Sequence, residues 1–379
     1  MLIFCLLLKK MLSLTELCNY TYQKMKVIKS ILSWFYAAVI WIRHRLYDWG
    51  VYKSYTFSIP VVCVGNITVG GTGKTPMVEF LLTSLAENYR IAVLSRGYGR
   101  RTKGYREVSV DDSYLDVGDE PLQMKLKFPD MVVVVSEDRV AGIERISKEH
   151  PDINLIIMDD GFQHRRVKAK VNIVLVDSTR PVKNDKLLPL GRLRDFKSRL
   201  NAAHFFVVTK CSDLMTPLDR RLWRNDLRKI AYQKVYFTTT TPQSIEPLFY
   251  FEGRENVDYG QQAILLTGIG NPKSFARSAE ERFYVVDKLF FADHHKYTKE
   301  DLQLLYSKLK QHPRAIILMT EKDAVKLRRS RIPKALMQAM YYQPIELSLI
   351  DGPDRDFIGN LINEINATET NNVGDRDEQ

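Results

Sequence analysis

Ile59-Pro-Val-Val-Cys-Val-Gly-Asn-Ile-Thr-Val-Gly-Gly-Thr-Gly-Lys-Thr-Pro76 decides how the rest of this 379-residue chain is read. A β-branched apolar run, Ile59–Val64, hands over to a glycine-rich turn, and from Lys74 to Glu87 apolar residues recur at helical spacing. This order predicts strand, turn and helix. In such a turn Gly70, Gly71, Thr72 and Gly73 let backbone N–H groups curl around phosphate oxygens, and the helix start adds its partial positive charge. Lys74 then reaches the β- and γ-phosphates, and the Thr75 hydroxyl can ligate Mg²⁺. The usual spacing of this motif asks for glycine at 68, where the chain has Thr68, but Gly70 and Gly71 supply the freedom nearer the phosphates.

Outward from this unit, short apolar runs follow at Ile91–Leu94, Met131–Val135, Leu155–Met158, Val171–Val176 and Phe205–Val208, alternating with polar or helical stretches such as Asp138–Lys148. Runs of this kind, apolar on both faces, predict a mostly parallel sheet covered by helices. Leu155-Ile-Ile-Met-Asp-Asp160 ends in two carboxylates, where a phosphate-binding fold needs an acidic group beside its metal. Asp159, directly ending the run, is the metal-side candidate, and Asp160 is expected to face the reacting groups. Thr209-Lys-Cys-Ser-Asp213 has the flavour of a base-reading N-K-x-D segment but is one residue too long.

From Val235 the texture changes. Strand-like Val235–Thr241 and Gln262–Thr267 flank a Gly-, Pro- and charge-rich segment, and a second series follows at Tyr284–Val286, Lys299–Lys310, Ala315–Met319, Lys334–Tyr342 and Ile345–Leu349. The reading divides the chain into residues 1–50, a 51–234 nucleotide-binding domain, a 235–262 linker with a strand pair, a 263–365 αβα domain, and a polar 366–379 tail expected to be disordered. Composition fits a globular protein of two domains with 45% apolar residues. Four scattered cysteines give neither a metal clip nor a disulfide framework.

Lysine and arginine number 56 against 45 acidic residues, a net +11 that favours anionic partners. The basic residues spread along the whole chain instead of gathering on one element with interleaved aromatics, which argues against nucleic acid. Met1–Leu8 lacks a basic lead and a cleavage site and makes a poor signal peptide. Ile31–Ile42, about twelve apolar residues, is short of the roughly 20 needed to span a bilayer. Lys26, Lys29, Arg43 and Arg45 flank it, and Trp34, Trp41 and Trp49 favour the headgroup boundary, so an interfacial membrane helix is expected. Met25 is an alternative start. A partitioning-type ATPase would carry a signature lysine before the paired glycines, where this chain has Val69, and a metal-inserting one would need a cysteine pair.

Val64-Gly-Asn-Ile-Thr-Val-Gly-Gly-Thr-Gly-Lys-Thr-Pro76, Ser95-Arg-Gly-Tyr-Gly-Arg100, Gly118-Asp-Glu-Pro121, Asp159-Asp-Gly-Phe-Gln-His164, Asp293-His-His295 and Thr320-Glu-Lys-Asp-Ala-Val325, in this order, closely resemble the tetraacyldisaccharide 4'-kinase family over about residues 50 to 330. The resemblance implies a P-loop NTPase-like αβα sandwich, a second, smaller αβα domain, a β-ribbon linker and an N-terminal hook helix at the membrane. It implies transfer of the γ-phosphoryl group of ATP, with Mg²⁺, to the 4'-hydroxyl of a tetraacylated glucosamine disaccharide 1-phosphate in lipid A synthesis. That lipid lies at the cytoplasmic face of the inner membrane, where the enzyme would sit peripherally. Asp119 matches the family's catalytic base and His294 the residue that pairs with it across the cleft, while His295 is a spectator. Leu188-Pro-Leu-Gly-Arg-Leu-Arg-Asp195 resembles a family segment ending in Arg-Glu near nucleotide and metal, which puts Arg192, Arg194 and Asp195 there, Asp195 being a metal residue one methylene shorter. Arg96, Arg100, Arg101 and Arg139 are candidates for the substrate phosphate on charge and loop placement.

Overall fold

The computed structural model describes residues 2–212, 214–252, 257–258, 260–350 and 354–367, with side chains from Lys24 onward except at 354–355. The chain opens with helix α1 (Leu2–Asp48). Strand β1 (Val61–Gly65), helix α2 (Lys74–Leu85), β2 (Ile91–Ser95), β3 (Arg106–Glu107), α3 (Tyr114–Val117), α4 (Asp119–Lys127), β4 (Val132–Val135) and α5 (Arg139–Glu149) follow. Next come β5 (Leu155–Asp159), β6 (Val171–Asp177), β7 (Phe205–Thr209), α6 (Pro217–Leu227) and β8 (Lys234–Pro242). The remaining elements are β9 (Glu246–Pro247), β10 (Gln262–Thr267), α7 (Pro272–Glu280), β11 (Tyr284–Phe290), α8 (Lys299–Gln311), β12 (Ile316–Thr320), α9 (Glu321–Leu327), α10 (Lys334–Ala339), β13 (Met340–Gln343), β14 (Ile345–Leu349) and α11 (Asp354–Asn366).

Among the described residues the larger sheet has nine strands in the order β14-β8-β7-β6-β1-β5-β2-β4-β3, parallel from β4 to β8. All five residues of β1 are buried, and they alternate between two cores. Val62 and Val64 meet Val78 and Leu81 of α2 on one face. Val61 and Cys63 meet Ile143 and Ile146 of α5 on the other. A strand apolar on both sides demands a helix layer on each, and the αβα sandwich follows. The smaller sheet runs β11-β10-β12-β13-β9, with β9 antiparallel at its edge. Its two faces are again separate apolar clusters, around Ile264 and Ile317 on one side and Leu265 and Leu318 on the other.

The two sheets are joined by a ribbon. The first residues of β8 pair with β7, whereas Thr238–Pro242 pair antiparallel with Ile345–Leu349 of β14. Two expectations are corrected here. The strand pair of the linker is made not within 235–262 but by β8 with a strand from far down the chain, and Gln262–Thr267 is instead a central strand of the smaller sheet. Residues 345–365, assigned by sequence to the second domain, return to the first: Leu347, Phe357, Leu361 and Ile365 are buried in the α2-side core of the larger sheet. A short β-rich run carries no mark of its partner, since pairing is fixed by long-range burial. Asn366 still belongs to α11, and residues 368–379 of the expected tail lie outside the described residues.

Candidate active site

The phosphate loop leaves β1 at Gly65 and enters α2 at Lys74. Gly73, with φ 87°, caps the helix in the left-handed region that lets its backbone turn without steric cost. The loop is braced from outside. Val69 N–H donates to the Arg192 carbonyl (2.9 Å) and Arg194 N–H to the Ile67 carbonyl (2.7 Å), so the 192–194 segment runs antiparallel to it. Within it, the Asn66 amide donates to the Thr72 hydroxyl (2.8 Å), and the Thr209 hydroxyl donates to the Thr72 carbonyl (2.9 Å). Lys210 donates to Asp177 (2.7 Å) and to the Gly71 carbonyl (2.5 Å). The Thr209-Lys210 pair therefore supports the loop. Asp213 of that segment lies outside the described residues.

Asp159 and Asp160 end β5 beside the loop and differ sharply. Asp160, at φ 47°, receives both Arg194 Nη atoms (3.0 and 2.7 Å), with Lys74 Nζ 3.8 Å away. Burial alone would raise its carboxyl, but the Arg194 hydrogen bonds and then Lys74 hold it below the ordinary range. Both oxygens are thus engaged, and Asp160 holds cations in place more than it faces an incoming hydroxyl. Asp159 is buried, accepts one bond from the Ser95 hydroxyl (3.2 Å), and leaves Oδ1 without a hydrogen-bond partner. Burial, with Glu120 and Asp160 nearby, pushes its carboxyl up to about 7. An orphaned, buried carboxylate oxygen at the end of the phosphate loop is what a divalent cation would satisfy. Among the described residues no three His, Cys, Asp or Glu side chains gather into a metal cage, so such an ion would draw most of its ligands from phosphate and water.

Asp195 also has a contact that the sequence did not show. Its Oδ1 accepts from His44 Nε2 of α1 (2.6 Å) and from the Phe196 N–H (2.8 Å), and it is 2% exposed. That oxygen docks α1. Further α1 contacts run from Ser33 to the Leu187 carbonyl (3.1 Å), from Tyr36 to the Arg194 carbonyl (3.0 Å) and from Arg43 to the Gln163 carbonyl (2.8 Å). The opposite face is open, with Trp34 69% and Val39 65% exposed. The apolar helix is also longer than the sequence suggested: Lys24–Asp48 is long and apolar enough to cross a membrane by length and composition. An exposed apolar helix of this kind is weak evidence of membrane association.

Asp119 opens α4 and is buried. Gly118 before it has φ 96°, and a Cβ there would lie 3.2 Å from Gly97 Cα and 3.3 Å from Pro121 Cδ, so only glycine lets the Gly97 turn pack against the start of α4. From the smaller sheet, His294 brings Nδ1 to 3.0 Å from Asp119 Oδ2. Sequence and structure thus bring this pair together from positions 175 residues apart. Lys322 and Lys326 of α9 stand 3.8 and 3.9 Å from the same oxygen. Burial raises the Asp119 carboxyl, but the His294 hydrogen bond and the lysines overcome it and bring it down to about 2. The Thr320–Val325 motif is visible in the sequence, but nothing there singles out its lysine. The four arginines separate: Arg96 and Arg101 are exposed, Arg100 is tied to Glu137 (2.7 Å), and Arg139 is buried with Nη1 on the Glu137 carbonyl (3.3 Å). Arg100 and Arg139 are thus both held against Glu137. His295 pairs with Asp301 (2.8 Å).

A family model described as tetraacyldisaccharide-1-P 4'-kinase matches residues 25–365. The chain belongs to the tetraacyldisaccharide 4'-kinase family. Relatives named tetraacyldisaccharide 4'-kinase include one from Phocaeicola vulgatus, 38% identical over 90% of this chain and 95% of its own length. Another, from Porphyromonas gingivalis, is 39% identical over 88% of this chain and 96% of its own length. The solved structure of LpxK from Aquifex aeolicus in complex with ATP aligns with a TM-score of 0.68 at 25% identity, covering 90% of this chain and 99% of that one. As a member of the tetraacyldisaccharide 4'-kinase family the chain is an ATP-dependent lipid kinase of lipid A synthesis.

Proposed function

We propose that the chain transfers the γ-phosphoryl group of ATP to the 4'-hydroxyl of a tetraacyl-glucosamine disaccharide 1-phosphate, with Asp119 receiving the hydroxyl proton and His294 orienting Asp119. The observation that carries this reading is the Asp119–His294 contact, between a buried carboxylate at the start of α4 and a part-buried imidazole from the loop after β11, with Glu120, the next residue of α4, close enough to perturb the Asp159 carboxyl. Gly70, Gly71, Thr72 and Gly73 would wrap the phosphates, and Lys74 would reach their oxygens. Thr75 and Asp159 fit Mg²⁺, which when bound would neutralise charge on the transferring group. A carboxylate brought down to about 2 is ionised at any working pH, so Asp119 always presents a lone pair to the sugar hydroxyl. Proton loss comes late in a loose phosphoryl-transfer transition state, so alignment matters more there than basicity. The exposed apolar face of α1 would rest on the membrane surface at the cytoplasmic face of the inner membrane, presenting the cleft to an acylated substrate.

The test is transfer of label from γ-labelled ATP to the tetraacyl disaccharide 1-phosphate in detergent micelles. Asp119→Asn and His294→Gln should each lower kcat about 10²–10⁴-fold with the ATP KM nearly unchanged. Because both act on one event, the double variant should be little worse than the worse single. Fully multiplying losses, or an equally large ATP KM defect, would move the base elsewhere.

A further inference from the structure

Three elements meet around the His294 ring. Asp119 and Glu120 come from α4, Asp293 from the ring's own loop, and Lys322 and Lys326 from α9, with the Tyr98 ring 5.2 Å away. Lys322 is central. Its Nζ lies 3.2 Å from Glu120 Oε1, 3.4 Å from His294 Nε2, and 3.8 Å from both Asp119 Oδ2 and Asp293 Oδ1. Its stem is held because the first turn of α9 is anchored. Buried Asp323, one residue on, accepts from the Thr267 hydroxyl (2.8 Å), the Gly268 N–H (3.1 Å) and the Thr320 hydroxyl (2.6 Å).

An ammonium group has donors and no acceptor, so whichever imidazole nitrogen faces it must offer a lone pair. The nitrogen that faces Lys322 is Nε2, so the single proton of a neutral ring falls on Nδ1, where it points at Asp119. We propose that Lys322 is a positioning residue for the base: it donates to His294 Nε2 and so fixes the neutral imidazole with its proton on Nδ1, aimed at Asp119. Turning the ring over to present Nε2–H to Asp119 would forfeit the Lys322 contact, which is shorter than the 4.0 Å between Nε2 and Asp293 Oδ1. Glu120 and Asp293 balance the ammonium and keep the cluster from accumulating positive charge. The kinetic consequence rests on Asp119 being the base, whereas the tautomer does not.

The experiment is ¹⁵N NMR of the full-length protein in detergent with its seven histidines labelled, the His294 signals being assigned by their loss in His294→Gln. At neutral pH the wild-type ring should show the pattern of protonated Nδ1 and bare Nε2. Lys322→Met should lose that pattern, and Lys322→Arg, still a donor, should keep it. An imidazolium or an Nε2–H ring in the wild type at neutral pH would overturn the proposal, and that measurement needs no variant to fold. In turnover, Lys322→Met should lose about 10- to 100-fold in kcat at unchanged ATP KM, and add little to His294→Gln. A Lys322→Met loss that multiplies with His294→Gln would also overturn it. If the tautomer holds while Asp119→Asn turns over normally, the base assignment fails and the positioning contact stands.

Discussion

Arg194→Ala should weaken ATP binding through Lys74, a residue it does not touch. The guanidinium holds both Asp160 oxygens at 3.0 and 2.7 Å, leaving Lys74 at 3.8 Å from the same carboxylate and available to phosphate. Without the arginine, Lys74 is, among the described residues, the remaining cation within ion-pair distance of Asp160 and is drawn onto it. The side chains of Arg194 and Asp160 are 24% and 32% exposed, intermediate between surface pairs worth about 0–1 kcal/mol and buried ones whose breakage costs about 3–5. About 2 kcal/mol is therefore at stake, which is roughly 30-fold in affinity. Calorimetric titration with a non-hydrolysable ATP analogue reads this directly. Asp160→Asn needs no counter-ion, so Arg194→Ala/Asp160→Asn should regain most of the lost affinity. A double variant as weak as Arg194→Ala, or a single that binds like wild type, would refute the reasoning.

Lys74→Ala should remove most phosphoryl transfer while the thermal transition stays close to wild type, since the lysine adds charge to the transition state and little to the core. Wild-type turnover would show that the loop is not the catalytic one. Deleting residues 26–45 should release the protein from vesicles, but it also strips His44 from Asp195 and Tyr36 from the Arg194 carbonyl. Trp34→Glu/Val39→Glu changes only exposed positions, and flotation should show the same release with ATP binding intact. Asp119 stands at about 2 when folded against an ordinary 3.8. A depressed acid stabilises the fold above its unfolded value and loses that contribution as pH falls, here between about 4 and 2, an amount of about 2 kcal/mol. Urea midpoints of wild type and Asp119→Asn should therefore converge over that acid range, and a constant gap would contradict it.

The sequence was most legible where chemistry and local periodicity coincide. Val61–Gly65, the glycine turn and α2 are one continuous stretch, and Asp119 and His294 stand in motifs whose joint order is specific. What escaped depends on distant partners. Asp195 has the residue type of a metal ligand, but its direction is set by a histidine 151 positions earlier. Arg100 looked free for phosphate until Glu137, 37 residues on, was folded against it. Lys322 sits in a visible motif, yet its four neighbours come from α4 and the His294 loop, which only tertiary contact assembles.

The ribbon of β8 and β14 has a consequence for biosynthesis. Everything between its two strands, including all of the smaller sheet, leaves the ribosome before Leu347, Phe357, Leu361 and Ile365 do. The nucleotide-binding half is synthesised first but waits for its last apolar residues, while the inserted half can bury its own β10 and β12 residues earlier. The catalytic cleft thus matures last-to-first: the segment made at the end seals the layer on which the phosphate loop, made near the beginning, depends.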